Sequence, residues 1–425
     1  MSSNTVAGSD LNLIDIIIKY LRNKFSNHID PNWAEDIATM TVSLFSYNSV
    51  AMTKLGSIRP NLAYLYLAES GFFKSLPIKH FLRPFLSFIK REYSLDLWAP
   101  SSFSMEGLVE YFRNKELKVG IMVRHECSTL FKDTMKKYGA DILEFMTELY
   151  DGATKKRYTR TFKLEEIDDV YFCFLGMSTE YLLSLINEDY LEQGFFNRLL
   201  YDIRENEPAP WDPEEFDFPI EDREKEQEFY RDIAEKLLAL EKYRYGIIND
   251  PKYISAIATG CHKAAAKFLK RKERKYRYFA SYVTRVHEHT IKLAMIRALG
   301  RIAIRPHSKT ETDTFPILRS DLEWAYNKMR RHLRMFQKFI ERWEFRKLYK
   351  RYEQEETEAK HILKIIKEHG GKISRSELYK HTAIRNRRKL DEVITYLLDA
   401  GYIEAIIEPT GGRNRIVYQL KEAIV

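Results

Sequence analysis

Apolar residues recur at helical spacing from the start of the chain. Leu11, Leu13, Ile14, Ile17, Ile18 and Leu21 fall on one face, and residues 10–55 read as two helices. The pattern then alternates. Residues 61–68 form a strand-like run and 76–91 a helix-like one. A second strand is expected at 117–123, a helix at 141–150 and a third strand at 170–175. Strands separated by helical stretches imply a parallel sheet with helices on its faces. Pro208, Pro210, Pro213 and Pro219 interrupt residues 205–228 among many acids, which predicts an exposed loop. Residues 229–348 are nearly all helical, with long amphipathic stretches at 284–304 and 320–346.

The last block has its own order. Ile362, Leu363, Ile365 and Ile366 mark a helix over 359–368, ended by Gly370-Gly371. Ser374 and Glu377 form a capping-box pair opening a short helix. A turn at 381–384 precedes a helix over 387–400 that is closed by Gly401. Residues 402–407 and 415–420 alternate as hairpin strands around Thr410-Gly411-Gly412-Arg413-Asn414. Helix, helix–turn–helix and hairpin is the winged-helix order. Its recognition helix starts with Arg385, Asn386, Arg387, Arg388 and Lys389, where such a fold reads the major groove, and Arg413 and Arg415 charge the wing. Residues 372–389 hold seven Lys or Arg and one acid, which favours DNA over a protein partner. The pattern divides the chain into an N-terminal helical segment (1–55), an α/β core (56–228), a helical lid (229–350) and a winged-helix domain (355–425).

Composition narrows the class. A net charge of +8 with 31% charged residues suits a polyanionic partner. Three cysteines without motif spacing argue against a disulfide framework or zinc site and fit a reducing cytoplasm. No apolar run reaches the ~18 residues of a membrane span, and the N-terminus lacks a signal-peptide pattern. Abundant Lys, Glu, Arg and Tyr with little Gln fits a thermophilic source.

Candidate chemistry lies after the first core strand, in Ala68-Glu69-Ser70-Gly71-Phe72-Phe73-Lys74-Ser75. A phosphate-binding loop needs curled backbone N–H groups, a Lys for the β/γ-phosphates and a Ser/Thr hydroxyl for Mg²⁺. Lys74 and Ser75 supply the last two, and the following helix offers its N-terminus. Ala68 and Phe73 stand where the G-x-x-x-x-G-K-[ST] pattern has glycines. The second strand ends in His125-Glu126, where an ATPase places Asp-Glu. The alternatives are an ordinary strand–turn–helix corner and a polar strand end.

With these stretches the chain resembles the helicase-like P-loop ATPases of plasmids, viruses and integrated elements, relatives of primase-associated and minichromosome-maintenance helicases. The resemblance covers about residues 10–345. It also rests on the 149–152 turn with Arg157 and Arg160, the strand at 172–176 with Ser178 and Thr179, Gly194-Phe195-Phe196-Asn197-Arg198, and Arg285 opening a helix. It implies an α/β P-loop core with a helical lid, ATP and Mg²⁺ as cofactors, and a ring-forming homo-oligomer acting on DNA. It implies Lys74 and Ser75 on phosphates and Mg²⁺, with Ser70 and Gly71 in the loop. Glu126 would be the catalytic acid, with His125 at the metal-holding position. Ser178 or Thr179 would be a sensor, Arg198 a finger reaching the next subunit and Arg285 a second sensor. The departures at Ala68, Phe73 and His125 leave open a non-catalytic initiator or scaffold. Residues 263–285 hold nine Lys or Arg and one acid among aromatics. That pattern fits either a single-strand grip or a helix with a solvated basic face.

Overall fold

The computed structural model describes the chain apart from residues 1–10, 26–27, 55, 102–104, 135–139, 153–156, 159–162, 165–166, 193, 205–222, 306–312, 385, 400, 410–414 and 422–425. Two compact units divide it, Met1–Glu341 and Arg342–Val425. Segments 1–55 and 56–228 and most of 229–350 thus share one unit.

The first unit opens with helices α1 (Leu13–Phe25) and α2 (Pro31–Leu44). Asp30 caps α2 by accepting from the N–H groups of Asn32 and Trp33, and Pro31 sits at the first position, where it needs no N–H partner. Strands β1 (Val50–Thr53), β2 (Gly56–Ile58) and β3 (Ala63–Leu67) follow, then α3 (Arg83–Tyr93), α4 (Met105–Arg113) and β4 (Val119–Arg124). Next come α5 (Cys127–Thr134), α6 (Ala140–Asp151), the short pair β5 (Arg157–Tyr158) and β6 (Lys163–Leu164), β7 (Tyr171–Ser178), α7 (Glu188–Glu192) and β8 (Leu200–Ile203). The unit continues with α8 (Arg223–Leu238), β9 (Tyr245–Ile248), α9 (Pro251–Leu269), α10 (Lys275–Thr284), α11 (Val286–Ala303) and β10 (Thr314–Ile317). Helix α12 (Arg319–Glu368) begins here, and the division between units falls within it.

The central sheet is parallel and flanked by helices, with strand order β4-β7-β3-β8. A parallel bridge between Trp98 and Ile121 extends its β4 edge. All residues of β3, β7 and β8 are buried, as expected for strands covered on both faces. Tyr66 stacks on Trp33 of α2 at 4.3 Å, and Tyr64 lies against His332 of α12. Between the strand-like run and α3 the helix widens into a π turn over Ile78–Leu82, where the Arg83 N–H reaches the Ile78 carbonyl. Pro84 explains it. Its ring would collide with the carbonyl four residues earlier, and the wider turn moves that carbonyl aside.

A second sheet, ordered β10-β9-β1-β2, was not legible in the hydrophobic pattern. Three of its strands, β1, β9 and β10, come from segments that read as helical. Three of its strands run parallel and only β2 is antiparallel.

One buried ionic cluster ties α2 to α12. Asp36, fully buried, accepts from Arg331 at 2.7 Å and lies 2.6 Å from the Lys328 ammonium. Arg331 also donates to Glu35 at 2.9 Å. Burial alone would raise the Asp36 carboxyl, but the Arg331 and Lys328 charges bring its pKa down to about 2. Asp202 of β8 lies at the cluster's edge. Burial and the nearby Asp36 charge push its pKa up to about 8. The buried His332 places Nδ1 2.8 Å from the Tyr201 carbonyl, and burial lowers its pKa to about 3.

The second unit contains the end of α12, β11 (Lys372–Ser374), α13 (Arg375–His381), α14 (Arg387–Asp399), β12 (Ile403–Glu408) and β13 (Arg415–Leu420). Its sheet is antiparallel, ordered β11-β13-β12. Gly371, at φ 81°, donates its N–H to the Ile366 carbonyl and ends α12. The Ser374–Glu377 capping box is formed. Ile362, Ile366, Leu378, Leu390, Leu397 and Ile403 are among its buried core residues. The run at 359–368, expected as a separate helix, is the last part of α12, and β11 is an added strand. Among the described residues no helix is long and apolar enough to cross a membrane.

A pH prediction follows from the buried histidines. His332 is neutral when folded, so between pH 6.5 and about 3 the unfolded chain binds the extra proton, and stability rises with pH. Asp202 acts with the opposite sign from pH 3.8 to about 8, because there the folded chain holds the extra proton. His332→Gln removes the histidine share alone. On lowering the pH from 6.5 to 5, the wild type should lose about 2 kcal/mol more than the variant. Parallel slopes in urea unfolding series would show that His332 is not neutral in the folded state.

Candidate phosphate site and basic face

The carboxyl ends of the four parallel strands lie along one edge of the central sheet. From β3 the chain crosses to β4 on one side, and from β7 it crosses to β8 on the other. The loops leaving β3 and β7 therefore diverge, which is where open parallel sheets bind ligands. Pairing fixes the neighbours. Leu67 lies opposite Ser178, and the Ala68 N–H donates to the Ser178 carbonyl at 3.1 Å.

The loop after β3 alternates in handedness. Gly71 has φ 93° and Phe73 φ 50°, whereas Ser70 and Phe72 keep negative φ. Loops that curl N–H groups around an anion use left-handed residues alternating with residues of negative φ. Among the described residues the N–H groups of Ser70, Gly71, Lys74 and Ser75 make no hydrogen bond. Phe73 thus takes the backbone conformation for which a glycine would be chosen, at a cost of about 1–2 kcal/mol. Its ring packs edge-on against His28 at 5.4 Å. Two residues that the sequence reading missed brace the loop. Trp33 donates its indole N–H to the Lys74 carbonyl at 3.0 Å. Arg204, just after β8, donates to the Phe72 carbonyl at 3.1 Å and lies over the Phe72 ring. No local sequence signal marks either one, because both reach the loop from distant elements.

Lys74 donates to the Ala68 carbonyl at 2.9 Å. Burial lowers its pKa, against the nearby negative charges of Glu126 and Glu69. The Ser75 carbonyl accepts from the Lys79 N–H at 2.9 Å. From β4, Glu126 accepts from the Ser128 N–H at 3.1 Å and from the Ser178 hydroxyl. The structure therefore gathers Lys74, Glu126 and Ser178 at adjacent strand ends. Thr179 begins the single helical turn Glu180–Ser184, with no side-chain cap bond.

Three expected participants stand elsewhere. His125 keeps one side open to solvent, and partial desolvation, with the Lys79 and Arg83 charges, lowers its pKa. Arg198 is buried and forms a two-pronged pair with Asp151 of its own chain, donating through Nε at 2.8 Å, and it also donates to the Gly194 carbonyl. A finger must project toward a neighbour, and this guanidinium is turned inward. Arg285 pairs with Glu288 at 3.1 Å. Both belong to a polar group around the buried Lys292, which donates to the Asn61 side chain and the Tyr150 hydroxyl at 3.0 Å each. Asn61 precedes β3, so this polar group gathers at the end of the strand opposite to the one that leads into the loop.

The fit to the implied cofactors is uneven. The curled N–H groups and Lys74 fit a phosphate chain. For Mg²⁺ the donors are the Ser75 hydroxyl and Glu126, and the residue before Glu126 is an imidazole facing two cations. Among the described residues no group of three His, Cys, Asp or Glu could hold a metal. These two donors would leave most of a Mg²⁺ shell to phosphate oxygens and water.

On the second unit Arg385 and Arg413 lie outside the described residues. Asn386 spends its side-chain oxygen on capping α14, accepting from the Arg388 N–H at 3.0 Å. Arg387 is exposed beside the Tyr379 ring. Arg388 is the most solvent-open, at 90% side-chain exposure, with Glu392 at 3.3 Å. Lys389 pairs with Glu358 of α12 and Arg415 with Glu377 at 2.8 Å. Lys372 pairs with Glu408, and Arg375 with Asp391. Acids outside the 372–389 window thus offset much of the charge counted within it. No protein-family model and no curated protein sequence matches this chain.

Proposed function

We propose that this chain is a DNA-binding protein with a P-loop-type nucleotide site, serving replication or maintenance of a plasmid, virus or integrated element. One observation carries the reading: Lys74, Glu126 and Ser178 meet at the carboxyl ends of β3, β4 and β7, beside a loop whose backbone handedness alternates. Nucleotide phosphates would lie in the loop's N–H concavity, with Lys74 released from the Ala68 carbonyl toward the β/γ-phosphates. Glu126, tethered by Ser178, would orient the attacking water. The second unit, in the winged-helix order of its elements, would dock α14 on duplex DNA through Arg387 and Arg388.

A second reading, a nucleotide-binding initiator or scaffold with slow or absent turnover, is favoured by the inward Arg198–Asp151 pair and by the cations beside His125. Under the first reading ATP hydrolysis requires an oligomer, and native mass should rise with ATP and DNA. Under the second, mass is indifferent to nucleotide.

The nucleotide site makes a direct prediction. Lys74→Ala should abolish ATP binding measured by calorimetry, whereas Phe73→Gly, which relieves the left-handed strain, should keep or tighten it. Equal ATP affinity in wild type and Lys74→Ala would reduce the loop to a structural corner.

Turnover gives a separate one. Glu126→Gln should bind ATP like wild type and lose whatever steady-state hydrolysis the wild type shows. Hydrolysis that survives the substitution would remove Glu126 from the chemistry, and no hydrolysis in either protein selects the scaffold.

For DNA, replacing Arg387 and Arg388 with Ala should lower the slope of log K against log salt by about 1.8 units on a duplex, at ~0.9 per phosphate contact. Lys389→Ala should instead cost stability of up to about 1 kcal/mol through loss of its pair with Glu358. Unchanged duplex binding in the double variant would assign this face to a protein partner.

A further inference from the structure

The hairpin of α9 and α10, remote in sequence from both sites above, carries a dense set of uncompensated cations. Lys263, Lys267, Lys270, Arg271, Lys272 and Arg277 are all exposed, and none forms an ion pair among the described residues. This contrasts with the second unit, where neighbouring acids pair most of the basic side chains. Helical geometry orders the row. Ile257, Cys261 and Ala265 form the buried stripe of α9, and Lys263 and Lys267 stand on the opposite face, about 6 Å apart along the axis. Lys270, Arg271 and Lys272 continue the charge around the tip, and Arg277 adds to it from the first turn of α10.

The tip is held in place. Arg274 pairs with both Glu188 and Glu192 of α7. Tyr276 stacks on Phe268 at 5.9 Å, and the Arg271 guanidinium lies 4.5 Å from the centre of the same ring. Tyr278, Phe279 and Tyr282 are buried. The aromatics of this stretch therefore build the hairpin and are not open for stacking on bases. What remains outward is cationic and sequence-blind.

We infer that the outer face of the α9–α10 hairpin is a second nucleic-acid surface, one that grips the phosphodiester backbone without reading bases. An anionic membrane is the competing polyanion, and the helix is poorly built for it. Its apolar stripe faces inward, and Leu269 is the one large apolar side chain exposed on it, whereas an interfacial helix needs a whole apolar face outward. The surface belongs to the first unit, whereas Arg387 and Arg388 belong to the second. Contact here would bring the nucleic acid to the same unit that holds the phosphate loop.

The test uses the full chain with Arg387→Ala and Arg388→Ala as background, so that failure of the second-unit face cannot mask the result. Into it go Lys263→Glu, Lys267→Glu, Lys270→Glu and Lys272→Glu together, and in a companion protein the same four positions changed to Arg. Binding is followed by anisotropy across a salt series, with one duplex and one single-stranded DNA of arbitrary sequence. The Glu protein should bind about a hundredfold more weakly near 0.1 M salt, with the slope lower by about 3.6 units on duplex or about 2.8 on single strand. The Arg protein should bind like the background. A change on one DNA form alone supports the surface and assigns that form. Unchanged affinity and slope on both forms overturn the inference. So does unchanged DNA binding with loss of binding to phosphatidylserine vesicles, which would make the surface a membrane contact. A Glu protein that unfolds early is replaced by the four Gln substitutions, for which the same slope change is expected.

Discussion

Parallel pairing of β3 with β7 is the constraint on which the candidate site depends. It puts Ser178 opposite Leu67, and β4 pairs in turn with β7. The last residues of three strands then stand side by side, although 52 positions separate Glu126 from Ser178. A slip of one residue in either pairing would turn Ser178 to the other face of the sheet and break its bond to Glu126. Strands buried on both faces have little freedom to slip, so the site inherits its precision from the sheet.

The loop after β3 is less self-sufficient. Its strained Phe73 persists because surrounding groups fix the segment. Trp33 holds one carbonyl and Arg204 another. Trp33 sits in α2, which is locked to α12 through Asp36, Lys328 and Arg331. Removing one member of that buried cluster would leave an uncompensated charge, a larger loss than the pair itself contributes. The loop after β3 and the base of α12 are thus braced by one continuous set of contacts within the first unit.

Charge is distributed differently in the two units. In the second, Glu358, Glu377, Asp391 and Glu408 approach cations that are distant in sequence, and Glu392 lies one helical turn from Arg388. Such exposed pairs are weak, and phosphate oxygens can compete for the same cations. At the α9–α10 tip only Arg274 and Lys275 are paired with acids. The stretch with the more modest fold signature therefore has the more open charge.

Periodicity by itself determined the helices and strands long enough to repeat it. The strands at 63–67, 119–124 and 171–178, the helices α6 and α11, the Ser374–Glu377 cap and the hairpin strand 415–420 all follow from local pattern, because capping and burial of one face are short-range demands. Lys74 was legible from the loop pattern and Glu126 from the strand end, whereas Ser178 was singled out, with Thr179, only through the family resemblance. The tertiary structure alone decided the rest. Strands of three or four residues such as β2, β9 and β10 have no room for a period, and only their pairing partners identify them. The inward turn of Arg198 onto Asp151 and the offset of Lys389 by Glu358 depend on residues far away in the chain. A sequence specifies which charges exist, but the pairing of those charges is a property of three-dimensional distance.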